Sequence, residues 1–295
     1  MSDVPADVSC VVLVDKPVGP TSFDIVRAAR RGVRARVGHA GTLDPFASGL
    51  LLVMVGHATR ISSLLMELPK EYDVTVQFGA VSTTADPTGD IVSTGRGHIR
   101  AGQVTAVLDC FRGRIRQRVP LTSAVKVDGE PLYRKAHRGE SAETPEREVM
   151  VYELHMTEFD EHAQTARLLV IAGSGTYVRT LAEDVGLATG AGGYAKALRR
   201  TRVGDFSVEE ALTPGELSPE RYAAGGRGVF SVDASLAFLP RHELDLRDAR
   251  LAANGNELRG APIGRFRVYG PGGLLGVYEG RADGARPLVV FPGSL

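Results

Sequence analysis

The sequence predicts an α+β fold in two units, a large one over residues 1–222 and a small β-rich one over residues 230–295. Three observations carry this. Apolar residues recur with helical period in some segments and alternate with strand period in others. The two kinds of segment are mixed without a regular βαβ rhythm, which disfavours a doubly wound sheet and favours one mixed sheet with helices against it. Ala223-Ala-Gly-Gly-Arg-Gly228 is the clearest linker, and beyond it short β-like runs are punctuated by Gly and Pro.

Val11 to Val14 is a continuous apolar run, the pattern of a buried strand, and Asp15-Lys-Pro-Val-Gly-Pro20 after it reads as a turn. Thr21 with Asp24 three residues on has capping-box spacing, predicting a helix through Phe23, Val26 and Ala29. Ile61, Leu64, Leu65 and Leu68 predict a second helix, stopped by Pro69. Tyr72, Val74, Val76 and Phe78 then alternate as a half-buried strand does. Val104, Val107, Leu108 and Phe111 predict another amphipathic helix. Residues 167–172 form a strand, and Val178, Leu181, Ala182 and Val185 mark the core face of the helix after it. In the last unit, of about 65 residues and near the lower limit for independent folding, strands are expected over 266–269, 274–278 and 288–291.

The bulk properties exclude more than they identify. The chain has 295 residues, with 35 basic and 35 acidic side chains, so no global charge draws it to nucleic acid. Cys10 and Cys110 form neither a CxxC pair nor a His/Cys cluster, and no phosphate-cradling P-loop is present, so neither a metal nor another cofactor is expected. The first apolar run is far too short for a signal peptide or membrane span. A soluble protein of the reducing cytoplasm, without membrane contact, is the expectation.

Neutrality hides segregation. Residues 100–140 are rich in Arg and Lys, and 143–161 in Asp and Glu with Arg147 as the exception. Arg112, Arg114, Arg116 and Arg118 alternate, so in an extended strand they share one face, with Ile115 and Val119 on the other. Further clusters are Arg27, Arg30, Arg31, Arg34 and Arg36, and Arg199, Arg200 and Arg202. Any single cluster is ordinarily a solvated face; three on a neutral chain suit a phosphate-binding surface.

The densest segment is Arg36-Val-Gly-His-Ala-Gly-Thr-Leu-Asp-Pro-Phe-Ala-Ser-Gly49, a loop with a tightly specified backbone. Alone, Asp44 before a proline is a turn residue and His39 a surface or hydrogen-bonded group. Together with what surrounds it, however, His39-Ala-Gly-Thr-Leu-Asp44-Pro-Phe-Ala-Ser-Gly-Leu resembles the catalytic loop of the TruB family of tRNA pseudouridine synthases. Asp15-Lys-Pro-Val-Gly-Pro-Thr-Ser22 resembles that family's opening motif. Lys70-Glu-Tyr72, with Phe78-Gly and Thr84-Ala-Asp86-Pro-Thr-Gly89, resembles its tyrosine motif. Gly173-Ser-Gly-Thr-Tyr-Val-Arg179-Thr-Leu resembles its arginine motif, and Ala197-Leu-Arg-Arg-Thr-Arg-Val-Gly204 its leucine motif. Five ordered motifs over about two hundred residues make a specific signal.

The resemblance implies a pseudouridine synthase catalytic domain followed by a small PUA-like RNA-binding domain. It implies Asp44 as the essential carboxylate, Arg179 as its cationic partner, and Tyr72 as the aromatic that stacks on uracil and takes the C5 proton. Tyr177 and Leu198 would line the cavity, although Leu198 also fits plain core. His39 would fill the gap left by a flipped base, and Lys16, Arg112 and Arg114 would join the substrate-binding set. The implied substrate is the T-arm stem-loop of tRNA, modified at uridine 55 by a monomer with no obligatory protein partner. The stretch Arg118-Val-Pro-Leu-Thr-Ser-Ala-Val-Lys126 resembles the family's RNA-gripping element, with Thr122 where larger groups are common.

Three other readings compete. A dinucleotide-binding enzyme would use Gly173-Ser-Gly175 after its strand. But Val178 is too bulky for close helix–strand packing, and Gly190-Ala-Gly-Gly193 follows a helix, the wrong context. A non-catalytic RNA-binding protein would explain the basic clusters but not Asp44, Tyr72 and Arg179. A guide-RNA-dependent synthase of the dyskerin type would share the Asp44 loop, while residues 127–148 look more like the RNA-clasping segment of a standalone enzyme.

Overall fold

The computed structural model describes residues 8–96, 98–120, 123, 125–127, 129–132, 134, 138 and 144–291. Much of the 118–126 stretch and of the 127–148 segment, Thr122 included, lies outside the described residues. Strand β1 (Cys10–Lys16) leads through its Pro-Gly turn into helix α1 (Ser22–Ala29), then to β2 (Val37–Ala40) and β3 (Ser48–Val55). Helix α2 (Ser62–Glu67) precedes β4 (Lys70–Phe78), and a small hairpin follows, β5 (Ala80–Ser82) with β6 (Ile91–Ser93). Next come α3 (Ala101–Leu108), β7 (Gly113–Arg118), the short pair β8 (Lys126–Val127) and β9 (Glu130–Pro131), β10 (Glu146–Asp160) and β11 (Thr165–Ala172). Helix α4 (Val178–Ala188) leads to β12 (Gly193–Val203), β13 (Phe206–Ser207), α5 (Pro219–Ala224) and β14 (Val229–Ser231). The chain ends in β15 (Arg241–Glu243), α6 (Leu246–Ala253), β16 (Gly264–Gly270), β17 (Gly273–Arg281) and β18 (Gly284–Val290).

The α+β expectation holds. Ten strands form one sheet of order β14-β1-β3-β12-β4-β11-β10-β7, with β2 beside β3 and β13 beside β12. The parallel pairing of β12 with β3, among antiparallel neighbours, makes it mixed. A second sheet has the order β15-β16-β17-β18. Strand β14 bonds to β1, with Val11 opposite Phe230, so hydrogen bonding carries residues 229–231 into the large sheet. The linker anticipated at 223–228 thus connects two parts of that sheet, and the second sheet begins at Arg241.

The continuous apolar run of β1 follows from cover on both faces. Val12 and Val14 belong to the same core cluster as Ile25 and Ala29 of α1 and the inward residues of helices α3 and α4. Val11 and Leu13 point the other way and share a cluster with Val277, Val289 and Phe291 of the second sheet. Within the C-terminal part, α6 packs Ala249 and Ala252 on Phe266, Val268 and Tyr278, and the Tyr278 hydroxyl donates to the carbonyls of Ala252 (3.0 Å) and Asn256 (3.1 Å).

Two elements differ instructively from expectation. The capping box is present: Asp24 N donates to Thr21 Oγ1 at 3.1 Å and Thr21 N to Asp24 Oδ2 at 2.9 Å. Yet Phe23 is 62% exposed, because Ile25 and Ala29, four residues apart, face the sheet and leave Phe23 on the other side. The acidic segment is strand β10, next to the edge strand β7 and antiparallel to it, with Glu146 opposite Arg118 and Glu148 opposite Arg116. Among the described residues, no helix is long and apolar enough to cross a membrane.

Candidate active site

The link from β2 to β3 carries Asp44. Its conformation is tied down from both sides. Ser22 Oγ, at the start of α1, accepts from Leu43 N (2.8 Å) and donates to Leu43 O (2.9 Å), a reciprocal pair that fixes the residue before Asp44. On the other side lies Arg200 of β12, 1% exposed, whose Nε donates to Leu50 O (2.7 Å) and Nη2 to Gly41 O (2.9 Å). One guanidinium thereby staples the two ends of the loop. The approach is so close that a Cβ on Gly49, at φ +102°, would lie 2.2 Å from the Arg200 carbonyl oxygen, so only glycine fits there.

Arg179, in the first turn of α4, is buried between two carboxylates. Its Nε lies 3.0 Å from Asp44 Oδ2 and its Nη1 2.8 Å from Asp86 Oδ2. Asp86 is itself held, accepting from Thr84 Oγ1 (2.8 Å) and Thr88 N (2.9 Å). Asp86 is buried, whereas a third of the Asp44 side chain opens to the cavity. Burial raises the Asp44 carboxyl above the ordinary carboxylate range; Arg179 opposes the rise, Asp86 adds to it, and Lys16 opposes it. Arg179 therefore opposes the effect of desolvation on Asp44, and Asp86 fixes where that cation sits.

Above this floor is a cavity of about 900 Å³ whose walls include His39, Tyr72, Tyr177, Leu198 and Arg200 together with Asp44 and Arg179. Tyr72 of β4 is 9% exposed and stands opposite Arg200 in the β4–β12 register, two positions from Leu198 on the same edge. Tyr177 caps α4, and Gln117 of β7 latches its backbone: Tyr177 N donates to Gln117 Oε1 at 3.0 Å and Gln117 Nε2 donates to Tyr177 O at 3.3 Å. His39 of β2 is pushed by burial, and by Arg200, below the ordinary imidazole pKa, so it is neutral near pH 7. Its Nδ1 is buried without a hydrogen-bond partner among the described residues. The site offers a carboxylate paired with a fixed cation, two tyrosine rings and an apolar wall at Leu198, a set suited to proton transfer or nucleophilic attack on a flat polar ring. Among the described residues, no three His, Cys, Asp or Glu side chains gather as a metal site requires.

Asp44, Arg179, Tyr72, Tyr177, Leu198 and His39 are thus brought together. The other three anticipated residues do not line the cavity, although Lys16 is close enough to act on the Asp44 charge. Lys16 is fully buried, its Nζ donating to Pro17 O (2.9 Å) and Pro20 O (2.8 Å), and burial pushes its pKa down to about 8. It braces the turn before α1. Arg112 donates through Nε (3.0 Å) and Nη2 (2.7 Å) to Leu154 O and also pairs with Asp109, so its guanidinium ties β7 to β10. Arg114 is exposed and lies 3.4 Å from Glu148. Arg200, grouped by sequence with the solvated arginines, is the most deeply buried of them, and its neighbour Arg199 pairs with Asp15 at 2.7 Å.

Sequence reading gave no individual role to Asp86 or Gln117 and left Arg200 among the surface cations. Two carried a signal. Gln117 alternates with the arginines of β7, so it faces inward with Ile115, and a buried amide there needs partners. Asp86 precedes proline in a Thr-rich turn, a pattern that also describes many surface turns.

Comparison with known proteins follows the same lines. The profile described as TruB family pseudouridylate synthase (N terminal domain) matches residues 30–178, and that of the tRNA pseudouridylate synthase B C-terminal domain matches residues 179–225. The chain is 40% identical to the tRNA pseudouridine synthase B of Thermobifida fusca (strain YX), over 96% of this chain and 99% of that protein. It is 37% identical to the protein of the same name from Aquifex aeolicus (strain VF5), over 91% of each. Among solved structures, a chain of a Cbf5-Nop10-Gar1 complex superposes with a TM-score of 0.73 at 23% identity, covering 98% of this chain and 86% of that one. A chain of an H/ACA RNP bound to a substrate RNA containing 2'-deoxyuridine does so with a TM-score of 0.72 at 22% identity, covering 97% and 86%. At these identities the solved structures speak for the fold.

Proposed function

Because the chain belongs to the TruB family of pseudouridylate synthases, we infer that it isomerises uridine to pseudouridine in tRNA, at position 55 of the T-loop, with Asp44 as its essential carboxylate. The observation that carries this reading is the buried Asp44–Arg179–Asp86 bridge at the floor of a cavity walled by Tyr72, Tyr177 and Leu198. The reaction breaks the N1–C1′ bond of the nucleotide, turns the freed uracil and rejoins it through C5, with no net oxidation and no phosphoryl transfer. Asp44 acts at the ribose, by attack on C1′ or by removal of the 2′ proton. Either route needs an ionised carboxylate, which Arg179 favours by opposing the effect of burial. Tyr72 stacks on the uracil and takes the C5 proton, and Tyr177 and Leu198 hold the ring while it turns.

The uridine must first leave its stack, which costs a few kcal/mol. A hairpin loop lowers that cost, since its bases are partly unstacked already. His39, neutral and at the cavity wall, takes the vacated place. Phosphate contacts fall to the exposed arginines around α1 ahead of Arg112 and Arg114, which have protein partners. The division into a synthase domain and a small PUA-like RNA-binding unit that begins after β14, action as a cytoplasmic monomer, and independence of cofactor and guide RNA belong to the same reading. The relatives at 37–40% identity, named tRNA pseudouridine synthase B, favour a standalone enzyme over a guide-dependent one.

The test is incubation of the purified protein with naked tRNA and with an isolated T-arm stem-loop, followed by mapping of pseudouridine. Modification of one T-loop uridine in both is expected. Asp44→Asn should lower the rate at least about a thousandfold while leaving tRNA binding intact. Modification confined to ribosomal RNA, or dependent on an added guide RNA, would overturn the substrate assignment; near-normal turnover by Asp44→Asn would remove Asp44 from the mechanism.

A further inference from the structure

We propose that Phe23, with Arg27 seated over its ring, is a stacking platform at the cavity mouth for an RNA base next to the extruded uridine. This rests on the reading that the cavity takes a uridine of tRNA, and it gives a role to a residue that the chemistry leaves unused.

A lone exposed aromatic needs no explanation, but this one is held in a particular place. Phe23 is 62% exposed and forms part of the cavity wall. It follows Ser22, whose hydroxyl is locked to Leu43, the residue before Asp44. The capping box of Thr21 and Asp24 fixes the helix on which it sits. The ring is therefore tied to the reacting carboxylate through a short, rigid path. The Arg27 guanidinium lies 5.5 Å from the ring centroid, while its contact with Asp24 is longer than a hydrogen bond, at 3.6 Å. Met66, 42% exposed, adds a second apolar group to the same cavity wall.

What lies beyond Phe23 indicates the ligand. Phe23, Arg27 and Arg30 follow one another at i, i+4 and i+7, a single helical stripe. Arg31, Arg34 and Arg36 continue the basic run past the helix end, and all are exposed. Among the described residues, no carboxylate lies within 4.0 Å of Arg30, Arg31, Arg34 or Arg36, whereas Arg114 of β7 has Glu148 at 3.4 Å. An aromatic face with a cation over it, continued by unpaired cations, matches a single-stranded or loop RNA segment: the base takes the ring and the following phosphates take the guanidinium groups.

The chain contains no tryptophan, so Phe23→Trp introduces a single indole reporter. In a Phe23→Trp, Asp44→Asn protein, saturation with a T-arm stem-loop should quench the emission by roughly half or more, as base stacking on the indole does. In turnover assays, Phe23→Ala should raise KM for tRNA about 5- to 100-fold, the contribution of one stacked base, with kcat changed less than about threefold. Phe23→Tyr should restore KM. Unchanged emission at saturating RNA, or an unchanged KM for Phe23→Ala, would overturn the platform. Failure of the wild-type enzyme to form pseudouridine in any tRNA would instead overturn the functional reading, and the emission measurement would still decide the platform by itself.

Discussion

On the cavity floor, Arg179 and Arg200 are nearly inaccessible to solvent and hold carboxylates and backbone carbonyls in fixed places. At the outer edge of the same sheet, Arg114, Arg116 and Arg118 of β7 stand in solvent opposite the glutamates of β10. The residue type is the same and the work is opposite. A buried guanidinium cannot be left unpaired, so the floor arginines dictate geometry to their partners. An exposed one exchanges water for carboxylate at little gain, so the edge pairs contribute about 0–1 kcal/mol each. Around α1 there is a third condition: among the described residues, the exposed Arg30, Arg31, Arg34 and Arg36 have no carboxylate within 4.0 Å, and there the charge remains available to a ligand.

This comparison breaks most sharply at Arg179. Arg179→Met leaves Asp44 and Asp86 buried near each other without their cation, which should cost about 3–5 kcal/mol of stability and nearly all activity. Urea unfolding together with pseudouridine formation measures both; a stable, active Arg179→Met protein would mean that the bridge is incidental.

Asp86 tests the direction of the electrostatics. Its charge adds to the upward shift of Asp44, so Asp86→Asn should move the acid limb of the kcat/KM profile to lower pH. The plateau rate should fall about 10- to 100-fold, because Arg179 is then anchored on one side only. An acid limb displaced upward would contradict the assigned signs.

The two exposed surfaces are separated by salt dependence. Replacing Arg30, Arg31 and Arg34 with Gln should reduce the log–log salt slope of tRNA binding by about 2, at about 0.7 per lost phosphate contact. The same change at Arg114, Arg116 and Arg118 should reduce it by less than about 1, since those side chains face acids already. Equal reductions would erase the distinction.

The smallest effect concerns the end of β7. Asp184 of α4 is pushed up from 3.8 to about 6, by burial and then by Glu183, with Arg118 opposing. A carboxyl with a raised folded pKa contributes stability below its unfolded pKa and loses it as pH rises through the folded one. Asp184→Asn should therefore leave stability unchanged below pH 3.8 and increase it by about 1–2 kcal/mol above the folded pKa of about 6. Urea midpoints on either side of that window read the difference, and a gain already present at the acid end would assign it to packing.

Several parts of the molecule are legible without coordinates. The capping box of α1, the alternation of β4 and the core face of α4 depend on neighbours within a few residues, and each stands where its pattern puts it. The ordered motifs likewise identify Asp44, Tyr72, Arg179, Tyr177, Leu198 and His39 as a group that the fold then brings to one cavity. The strand β12 was not legible, because its run of charged residues hides a central position in the sheet. The exposure of Phe23 was not legible either, because helical period identifies a stripe without saying how far round the helix the sheet reaches.

By itself, then, the sequence determined the local elements, the α+β class, the family likeness and which six side chains gather at the cavity. Tertiary structure alone decided what each charge does. Arg200 and Arg202 are two residues apart on one strand, yet one is sealed against the Asp44 loop and the other is in solvent. The difference arises because the pairing of β12 with β4 shifts register between Arg200 and Arg202, and because β12 inserts between β3 and β4, segments more than a hundred residues earlier in the chain. Burial of that kind depends on long-range pairing, and the energy of a charge depends on burial more than on anything its sequence neighbours supply.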